Sequence, residues 1–202
     1  MSRPLPLIHI NGFPGVGKLT IAKELTAQLA DRAKLVHNHL LINPADAVLH
    51  RTQPGYQGLR RALRGAIFAA LADEPATHAT AYVFTDFQSS DAVGSATCAE
   101  YREAARRRGC ALVPIVLSCG EEANLARLEA AERKVQGKIV DEQLLRYFRD
   151  RVEIHQFGDV DEMLNLDVTN LTPGEAAKAI LDHLLTCCPE LGVGLGEESA
   201  KQ

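Results

Sequence analysis

The sequence has no long hydrophobic run, no excess of positive charge and no cysteine pattern of the kind that binds metal. Its apolar stretches fall short of the roughly 20 residues that cross a bilayer, and its N-terminus lacks the apolar region of a signal peptide. The five cysteines are odd in number and lack metal-ligand spacing, which is typical of reduced thiols. These absences disfavour a membrane protein and predict a cytoplasmic one.

The chain carries a net charge of −4 and does not interleave aromatic with basic residues. Both features argue against a protein that coats nucleic acid, although a local basic site remains open. The 202 residues fit one domain with a sizeable core. We predict that this domain spans residues 1–187 and that residues 188–202 form a flexible tail, because small-residue breaks accumulate there.

The most informative stretch that is present is Gly12-Phe13-Pro14-Gly15-Val16-Gly17-Lys18-Leu19-Thr20. It follows an apolar run and opens into a helical pattern, which is the context of a phosphate-binding loop, or P-loop. Its glycines let backbone N–H groups converge on phosphate oxygens, and the helix N-terminus adds partial positive charge. Lys18 supplies a point charge for the outer phosphates.

The residue after Lys18 departs from the P-loop pattern. A Ser or Thr whose hydroxyl ligates magnesium usually stands there, but this chain has Leu19, and Thr20 comes one position late. A magnesium ion would therefore take its protein contact from elsewhere, or through water.

Strand and helix patterns alternate along the whole chain. Apolar and β-branched runs predict five strands, over residues 5–11, 34–37, 80–86, 111–117 and 164–168. Helical patterns occupy residues 18–30, a segment from 43, then 56–72, 92–108, 118–132, 141–152 and 173–185. This alternation predicts an α/β fold with a parallel sheet and helices on both faces.

Local signals mark several helix ends and faces. Asn43 followed by Pro44 predicts a helix start, Gly109 predicts a stop, and 118–121 and 172–175 fit capping boxes. In the helix over residues 56–72, the spacing predicts an inward face and places two arginines, Arg60 and Arg64, on another face. The predicted inward residues are Leu59, Leu63, Ile67 and Leu71.

Ligands of open parallel sheets bind at the carboxyl ends of the strands. Those ends carry the P-loop, residues 37–39, Thr85-Asp86 and residues 167–169. We expect these segments to line one crevice.

With the P-loop, the His37-Asn38-His39 turn, a basic break near Arg133 and Leu-Asp-Val-Thr before a capped helix, the chain resembles small P-loop kinases. This group includes shikimate, gluconate and chloramphenicol phosphotransferase-like enzymes. The chain is more narrowly similar to uncharacterised members that read Gly-Lys-Leu-Thr or Gly-Lys-Met-Thr, followed by His-Asn-His.

The resemblance covers roughly residues 5–186. It implies a three-layer P-loop NTPase fold with a five-stranded parallel sheet and a small lid over about residues 132–141. It also implies ATP and Mg²⁺ as cofactors, and transfer of a phosphoryl group to the hydroxyl of a small acceptor that it does not identify. A monomer or a homodimer is expected, without a membrane or nucleic-acid partner.

Asp86 ends the strand predicted to lie beside the P-loop strand, and it is our candidate for the magnesium contact. The plain structural alternative is a carboxylate that caps a turn. By the resemblance, Thr20 could hold an α-phosphate oxygen.

His37, Asn38 and His39 follow the second strand, where related kinases carry an acidic acceptor-binding residue. A neutral imidazole can accept a hydroxyl proton near pH 7, so His39 is a candidate base and Asn38 a candidate orienting group. Asp46, further along, is a rival base. Histidines satisfied by backbone groups at a strand end are the structural alternative.

Basic residues flank the break between the helices over 118–132 and 141–152. By the resemblance, Arg133, Lys134 and Lys138 belong to a lid that closes on the transferring phosphate, and Arg127 takes the place of an adenine-stacking arginine. Electrostatic stabilisation by such cations is a large catalytic effect. The structural alternative is a solvated basic face.

Arg60 and Arg64 are spaced four residues apart and could bind an acidic acceptor, and Arg51 is placed similarly. The alternative, a helix face turned to solvent, normally carries such residues.

Two rival functions also stay open. One is a nucleotide-binding or NTPase module without kinase activity, which Leu19 keeps alive, and the other is a kinase of nucleotides or nucleic-acid ends.

Overall fold

One parallel sheet forms the centre of the molecule. The structure is a computed structural model that describes residues 3–128, 142–158 and 160–193. The strands are β1 (Leu7–Gly12), β2 (Ala33–His37), β3 (Ala81–Thr85), β4 (Leu112–Ser118) and β5 (Leu164–Asp167). They lie in the order β2-β3-β1-β4-β5, and every pairing is parallel. The predicted α/β class is confirmed, and the strand that leads to Asp86 does lie beside the P-loop strand.

Helices connect the strands and cover both faces of the sheet. They are α1 (Lys18–Gln28), α2 (His39–Asp46), α3 (Tyr56–Asp73), α4 (Ala92–Arg108), α5 (Glu121–Leu128), α6 (Glu142–Arg151) and α7 (Pro173–Cys187). Short 3-10 turns lie at Ala30–Arg32, Pro75–Thr77 and Pro189–Gly192. None of the helices in these described ranges is both long and apolar enough to cross a membrane.

The two faces of the sheet build two apolar cores, because successive strand residues point to opposite sides. Ile8 and Ile10 of β1 pack in a cluster with α1 and α7, whereas Leu7 packs in a cluster with α3 and α4. The second cluster is rich in aromatic rings, including Phe68 and Tyr101, whose centroids are 4.9 Å apart. Both layers therefore hold β1 rigidly, and the loop that follows it emerges at the carboxyl edge of the sheet.

The start of α2 corrects a prediction. The helix begins at His39 and not at Asn43, because the N–H groups of Leu41 and Ile42 both donate to the Asn38 carbonyl at 2.9 Å. Pro44 lies inside the helix, where it lacks the N–H that would bond to the carbonyl four residues earlier. The turn at Asn38 thus starts the helix before the asparagine–proline signal is reached.

The buried face of α3 also differs from the predicted one. The buried residues are Tyr56, Arg64, Phe68 and Leu71. Of the predicted inward residues, Leu71 is buried and Ile67 packs partly buried against the same core, whereas Leu59 and Leu63 are half-buried. The solvated alternative is wrong for Arg64, because its Nε donates to Glu100 Oε2 of α4 at 2.7 Å and its side chain is buried. A buried guanidinium is tolerated when a carboxylate pairs with it, and spacing alone does not reveal that partner.

Other helix ends divide into confirmed and corrected predictions. Thr172 and Glu175 form the predicted capping box at α7, and Gly109 ends α4 with φ 72°. Ser118 caps no helix, because it is the last residue of β4 and α5 begins at Glu121. The predicted tail begins too early, since Cys188 and Leu191 are buried in the core and Pro189–Gly192 form a 3-10 turn.

Candidate active site

The predicted P-loop forms the turn between β1 and α1. Gly15 and Gly17 have φ values of 90° and 106°, which side chains rarely adopt. Gly17 also precedes α1 without a side-chain cap, and the first turn of α1 contains no acidic residue. The helix N-terminus therefore has neither a side-chain cap nor an acidic residue in its first turn, which is the arrangement that binds phosphate.

Lys18 lies across the mouth of this loop. Its Nζ donates to the carbonyls of Gly12 and Phe13, at 2.6 and 2.8 Å. The lysine stays half-buried beside the loop, so its positive charge sits where the phosphates of a nucleotide would meet the helix N-terminus.

The loop opens into a cavity of about 470 Å³. Leu19 and Thr20 both line it, and Leu19 is only half-buried. The leucine therefore faces the cavity and does not fill the core beneath α1. Leu19 supplies no oxygen to this space, which leaves the Thr20 hydroxyl as the side-chain oxygen of the first turn.

Asp86 lies at the carboxyl end of β3 and lines the same cavity, although it is only 2% exposed. Its Oδ1 accepts from Asn38 Nδ2 at 2.7 Å and from the Phe87 N–H at 2.9 Å. Its Oδ2 accepts a longer bond of 3.4 Å from the Tyr101 hydroxyl. Burial raises the pKa of Tyr101 well above its usual value, so the tyrosine remains protonated and can donate.

Arg60 orients Asn38 toward this carboxylate. Its Nη2 donates to Asn38 Oδ1 at 3.1 Å. A guanidinium only donates, so it selects the amide oxygen and leaves the amide nitrogen of Asn38 for Asp86. Asn38 therefore contacts Asp86, and its role as an orienting group on the acceptor side stays a prediction.

Most of the residues predicted to bind the acceptor lie together on one side of the cavity. His37, His39 and Arg51 line it beside Asn38 and Arg60, and the two imidazole rings are 6.3 Å apart. The described residues contain no cluster of three or more His, Cys, Asp or Glu arranged to hold a metal ion.

Asp46 and Arg64 are not among the residues that line the cavity. Asp46 accepts from Arg51 at 2.7 Å and from the Tyr56 hydroxyl at 2.6 Å. The hydrogen bond from Arg51 lowers the pKa of Asp46, which makes it a weak base. Arg64 is sequestered by Glu100, as described above.

The opposite end of the cavity is more apolar. Arg127 lines it with Val168, Leu171 and Pro173, in the position between α5 and the end of β5. Its guanidinium donates to the carbonyls of Val168 and Thr169, at 2.8 and 3.2 Å. A planar cation that is fixed in this way offers a flat surface to an aromatic base. Arg133, Lys134 and Lys138 of the predicted lid lie outside the described residues.

The charges around the cavity are mostly positive. Among the described residues that line it, the cations are Lys18, Arg51, Arg60 and Arg127, and the one carboxylate is Asp86. Such a cavity suits a polyanionic ligand, in spite of the net negative charge of the whole chain.

Two residues that contact the loop were not predicted from the sequence. Asn124 of α5 donates to the Pro14 carbonyl at 2.9 Å, and Arg149 of α6 lies 5.8 Å from the centre of the Phe13 ring. One signal for Asn124 was present, because it precedes Arg127 by three residues and shares its helix face. Arg149 had no such signal, since only tertiary packing brings α6 to the loop.

Comparison with solved structures supports the fold. A gluconokinase from Sinorhizobium meliloti is 13% identical, with a TM-score of 0.60 over 96% of this chain and 98% of that chain. An APS kinase from Mycobacterium tuberculosis, solved with AMPPNP and APS, is 14% identical, with a TM-score of 0.58 over 91% of this chain and 99% of that chain. A shikimate kinase from Acinetobacter baumannii, solved with shikimate, is 19% identical, with a TM-score of 0.55 over 92% and 96%.

No known protein family and no curated protein matches the sequence. The shared feature is therefore the architecture, and this chain has the fold of small P-loop kinases.

Proposed function

We propose that the protein transfers the γ-phosphate of ATP to a hydroxyl group of a small acceptor. The observation that carries this proposal is a single cavity that joins three things: the P-loop, the buried carboxylate Asp86, and an acceptor side with His39 and Arg60. A phosphoryl transfer enzyme needs donor and acceptor in one water-poor space, because positioning and electrostatics supply most of the catalysis.

We assign one half of the cavity to the nucleotide from the chemistry of the residues that line it. Phosphates would meet the N–H groups of Gly15, Gly17 and Lys18 and the Lys18 ammonium. The base would lie toward Arg127, Leu171 and Pro173. Val16, Leu19 and Thr20 complete the lining of this half.

The residues present fit a magnesium ion with few protein ligands. Asp86 lines the cavity, and among the described residues its Oδ2 has only the long Tyr101 contact, so this oxygen keeps lone pairs for a further partner. Magnesium commonly takes one or two carboxylates beside substrate phosphates and water. When bound, the ion would neutralise charge on the phosphates, and Asp86 would hold it directly or through water.

In the transfer, the acceptor oxygen forms a bond to the γ-phosphorus and the bond from that phosphorus to the leaving oxygen of ADP breaks. The acceptor hydroxyl gives up its proton, and His39 is the proposed base at the acceptor side. Lys18 neutralises the charge that moves onto the leaving phosphate. Arg133 keeps its predicted role as a lid cation in this scheme.

The acceptor side favours an anionic acceptor. Arg51 and Arg60 both line it, and a guanidinium pairs well with a carboxylate or phosphate of a ligand. A panel of small hydroxy acids and matched neutral alcohols, incubated with labelled ATP and analysed by mass spectrometry, should yield phosphorylated hydroxy acids first.

Lys18→Ala tests the nucleotide half directly. We expect ATP affinity to fall by about tenfold or more, because one charge-assisted contact to phosphate is lost. Isothermal titration with Mg·ATP measures the affinity, and circular dichroism checks the fold. Lys23→Ala is the matched control, since Lys23 is exposed on the same helix. Equal ATP affinity in Lys18→Ala and the parent would exclude the P-loop assignment. In the acceptor panel, loss of ATP without any phosphorylated metabolite would favour an NTPase.

A further inference from the structure

The outward carbonyls of the P-loop are held by side chains. Lys18 donates hydrogen bonds to the carbonyls of Gly12 and Phe13. Asn124 donates to the Pro14 carbonyl at 2.9 Å, and Arg127 donates to the Val16 carbonyl at 3.3 Å. In a trans peptide unit, the N–H points away from the C=O. The bond to Pro14 therefore sets the direction of the Gly15 N–H, and the bond to Val16 sets that of Gly17.

The amide of Asn124 is itself oriented. Its Oδ1 accepts from Arg149 Nη1 at 3.1 Å, while its Nδ2 donates to the Pro14 carbonyl. Because a guanidinium only donates, Arg149 excludes the flipped amide, in which a donor would face a donor and an oxygen would face the carbonyl. Asn124 is 0% exposed, so water does not compete for either bond.

The same contact is tight in space. A Cβ atom on Gly15 would lie 2.4 Å from Asn124 Nδ2, which is closer than real Cβ contacts. The loop and α5 therefore touch through the bare backbone of Gly15. Glycine is needed here both for its positive φ and to let the asparagine reach Pro14.

Arg149 ties this contact to a third element. Besides Asn124, it donates to the Cys119 carbonyl at 3.2 Å and lies over the Phe13 ring. It thus joins α6 to the end of β4, to α5 and to the loop. We name Asn124 and Arg149 together the loop brace.

We infer that the loop brace positions the P-loop for nucleotide, with Asn124 and Arg149 as positioning residues that do not touch the substrate. This inference rests on the proposed function, since it assumes that the loop binds ATP. The brace holds the Gly15 N–H in its orientation before the nucleotide arrives, so less ordering is needed on binding.

Arg149→Met is the main test, and Arg146→Met is its matched control. Arg146 lies on the same helix and pairs with Glu121 of α5 and with Glu142, but these contacts do not involve the loop. We expect Arg149→Met to weaken Mg·ATP binding by about fivefold to tenfold, the equivalent of one lost hydrogen bond, and Arg146→Met to change it less than about twofold. Asn124→Leu should weaken it at least as much, with urea unfolding to confirm that the variant is folded.

A second measurement works without nucleotide. In protein labelled with ¹⁵N-glycine, the Gly15 and Gly17 amide signals should move in Arg149→Met and stay in place in Arg146→Met. Unchanged glycine signals and unchanged ATP affinity in Arg149→Met would overturn the brace, as would equal effects of the two arginine substitutions. A parent protein that binds no ATP would overturn the proposed function instead, and the glycine signals would still decide the brace.

Discussion

Two asparagines in this molecule obtain their amide orientation from a neighbouring arginine. Asn38 turns its amide nitrogen to Asp86 because Arg60 occupies its oxygen, and Asn124 turns to the P-loop because Arg149 does the same. In each case a donor-only side chain removes the ambiguity of an amide flip. At both ends of the cavity, an arginine thus fixes which way an asparagine amide points.

Asp86→Asn tests the carboxylate at the residue scale. The amide oxygen can replace Oδ1 as the acceptor of the Asn38 and Phe87 donors, so the fold should survive the change. Without the negative charge, we expect the magnesium concentration for half-maximal turnover to rise by about tenfold and kcat to fall on the order of 100-fold. A magnesium titration at saturating ATP measures both, while titration of ATP alone should remain close to the parent.

Asp91→Asn is the matched control for this change. Asp91 lies in the same connection and caps α4 by accepting from the Gly94 N–H, and Asn caps a helix equally well. Asp91→Asn should leave the magnesium dependence of turnover unaltered. If Asp86→Asn also leaves the magnesium titration and turnover unaltered, Asp86 is a turn cap, as its bond from the Phe87 N–H allows.

At the scale of elements, the start of α7 combines a helix end with the wall of the cavity. Thr172 Oγ1 accepts from the Glu175 N–H at 3.2 Å, and Glu175 Oε2 accepts from the Thr172 N–H at 2.8 Å. The next residue, Pro173, lines the end of the cavity assigned to the base. A capped α7 therefore keeps this wall in place.

Thr172→Ala should lower the free energy of unfolding by about 1 kcal/mol, the usual effect of a lost N-cap. Urea unfolding followed by circular dichroism measures it. Thr186→Ala is the matched control, because Thr186 is exposed near the other end of α7 and bonds only to the Asp182 carbonyl of its own helix. A loss of the same size in both variants would assign the effect to general helix content.

At the scale of the whole molecule, one buried histidine makes folding depend on pH. His9 lies in the central strand at 0% exposure, and neither ring nitrogen has a hydrogen-bond partner within the described residues. Its ring lies 4.3 Å from that of Tyr101. Burial lowers the pKa of His9 from 6.5 to about 4, although the charge of Asp86 raises it in part.

The direction of the pH effect follows from this lowered pKa. The unfolded chain binds the proton more readily than the folded protein, so the stability present above pH 6.5 is lost as pH falls toward 4. Relative to pH 8, we expect a loss of about 2 kcal/mol at pH 5 from this group. Urea unfolding at the two pH values should show a smaller difference in His9→Leu than in the parent, and equal differences would exclude His9 as the source.

Much of the fold was predictable because its signals are local. Strand and helix periodicity gave the α/β class, Gly109 and Thr172–Glu175 gave two helix ends, and the glycine pattern located the phosphate loop. Each of these features depends on residues only a few positions apart, whose backbone preferences act before any distant contact forms. Because ligands bind at the carboxyl ends of parallel strands, the P-loop, residues 37–39 and Asp86 were expected around one cavity. The structure places them there.

The tertiary structure decided which polar side chains are buried and what they contact. The sequence spacing of Arg64 is that of a surface residue, but the packing of α4 places Glu100 beside it. Similarly, the packing of α6 places Arg149 beside Asn124 and orients its amide. Pairs of this kind are separated by tens of residues or join different helices, so no spacing in the sequence marks them. The sequence by itself determined most of the elements and the phosphate loop, whereas the packing of the elements determined the partners, because the interior tolerates a charge or an amide only when a partner pairs with it.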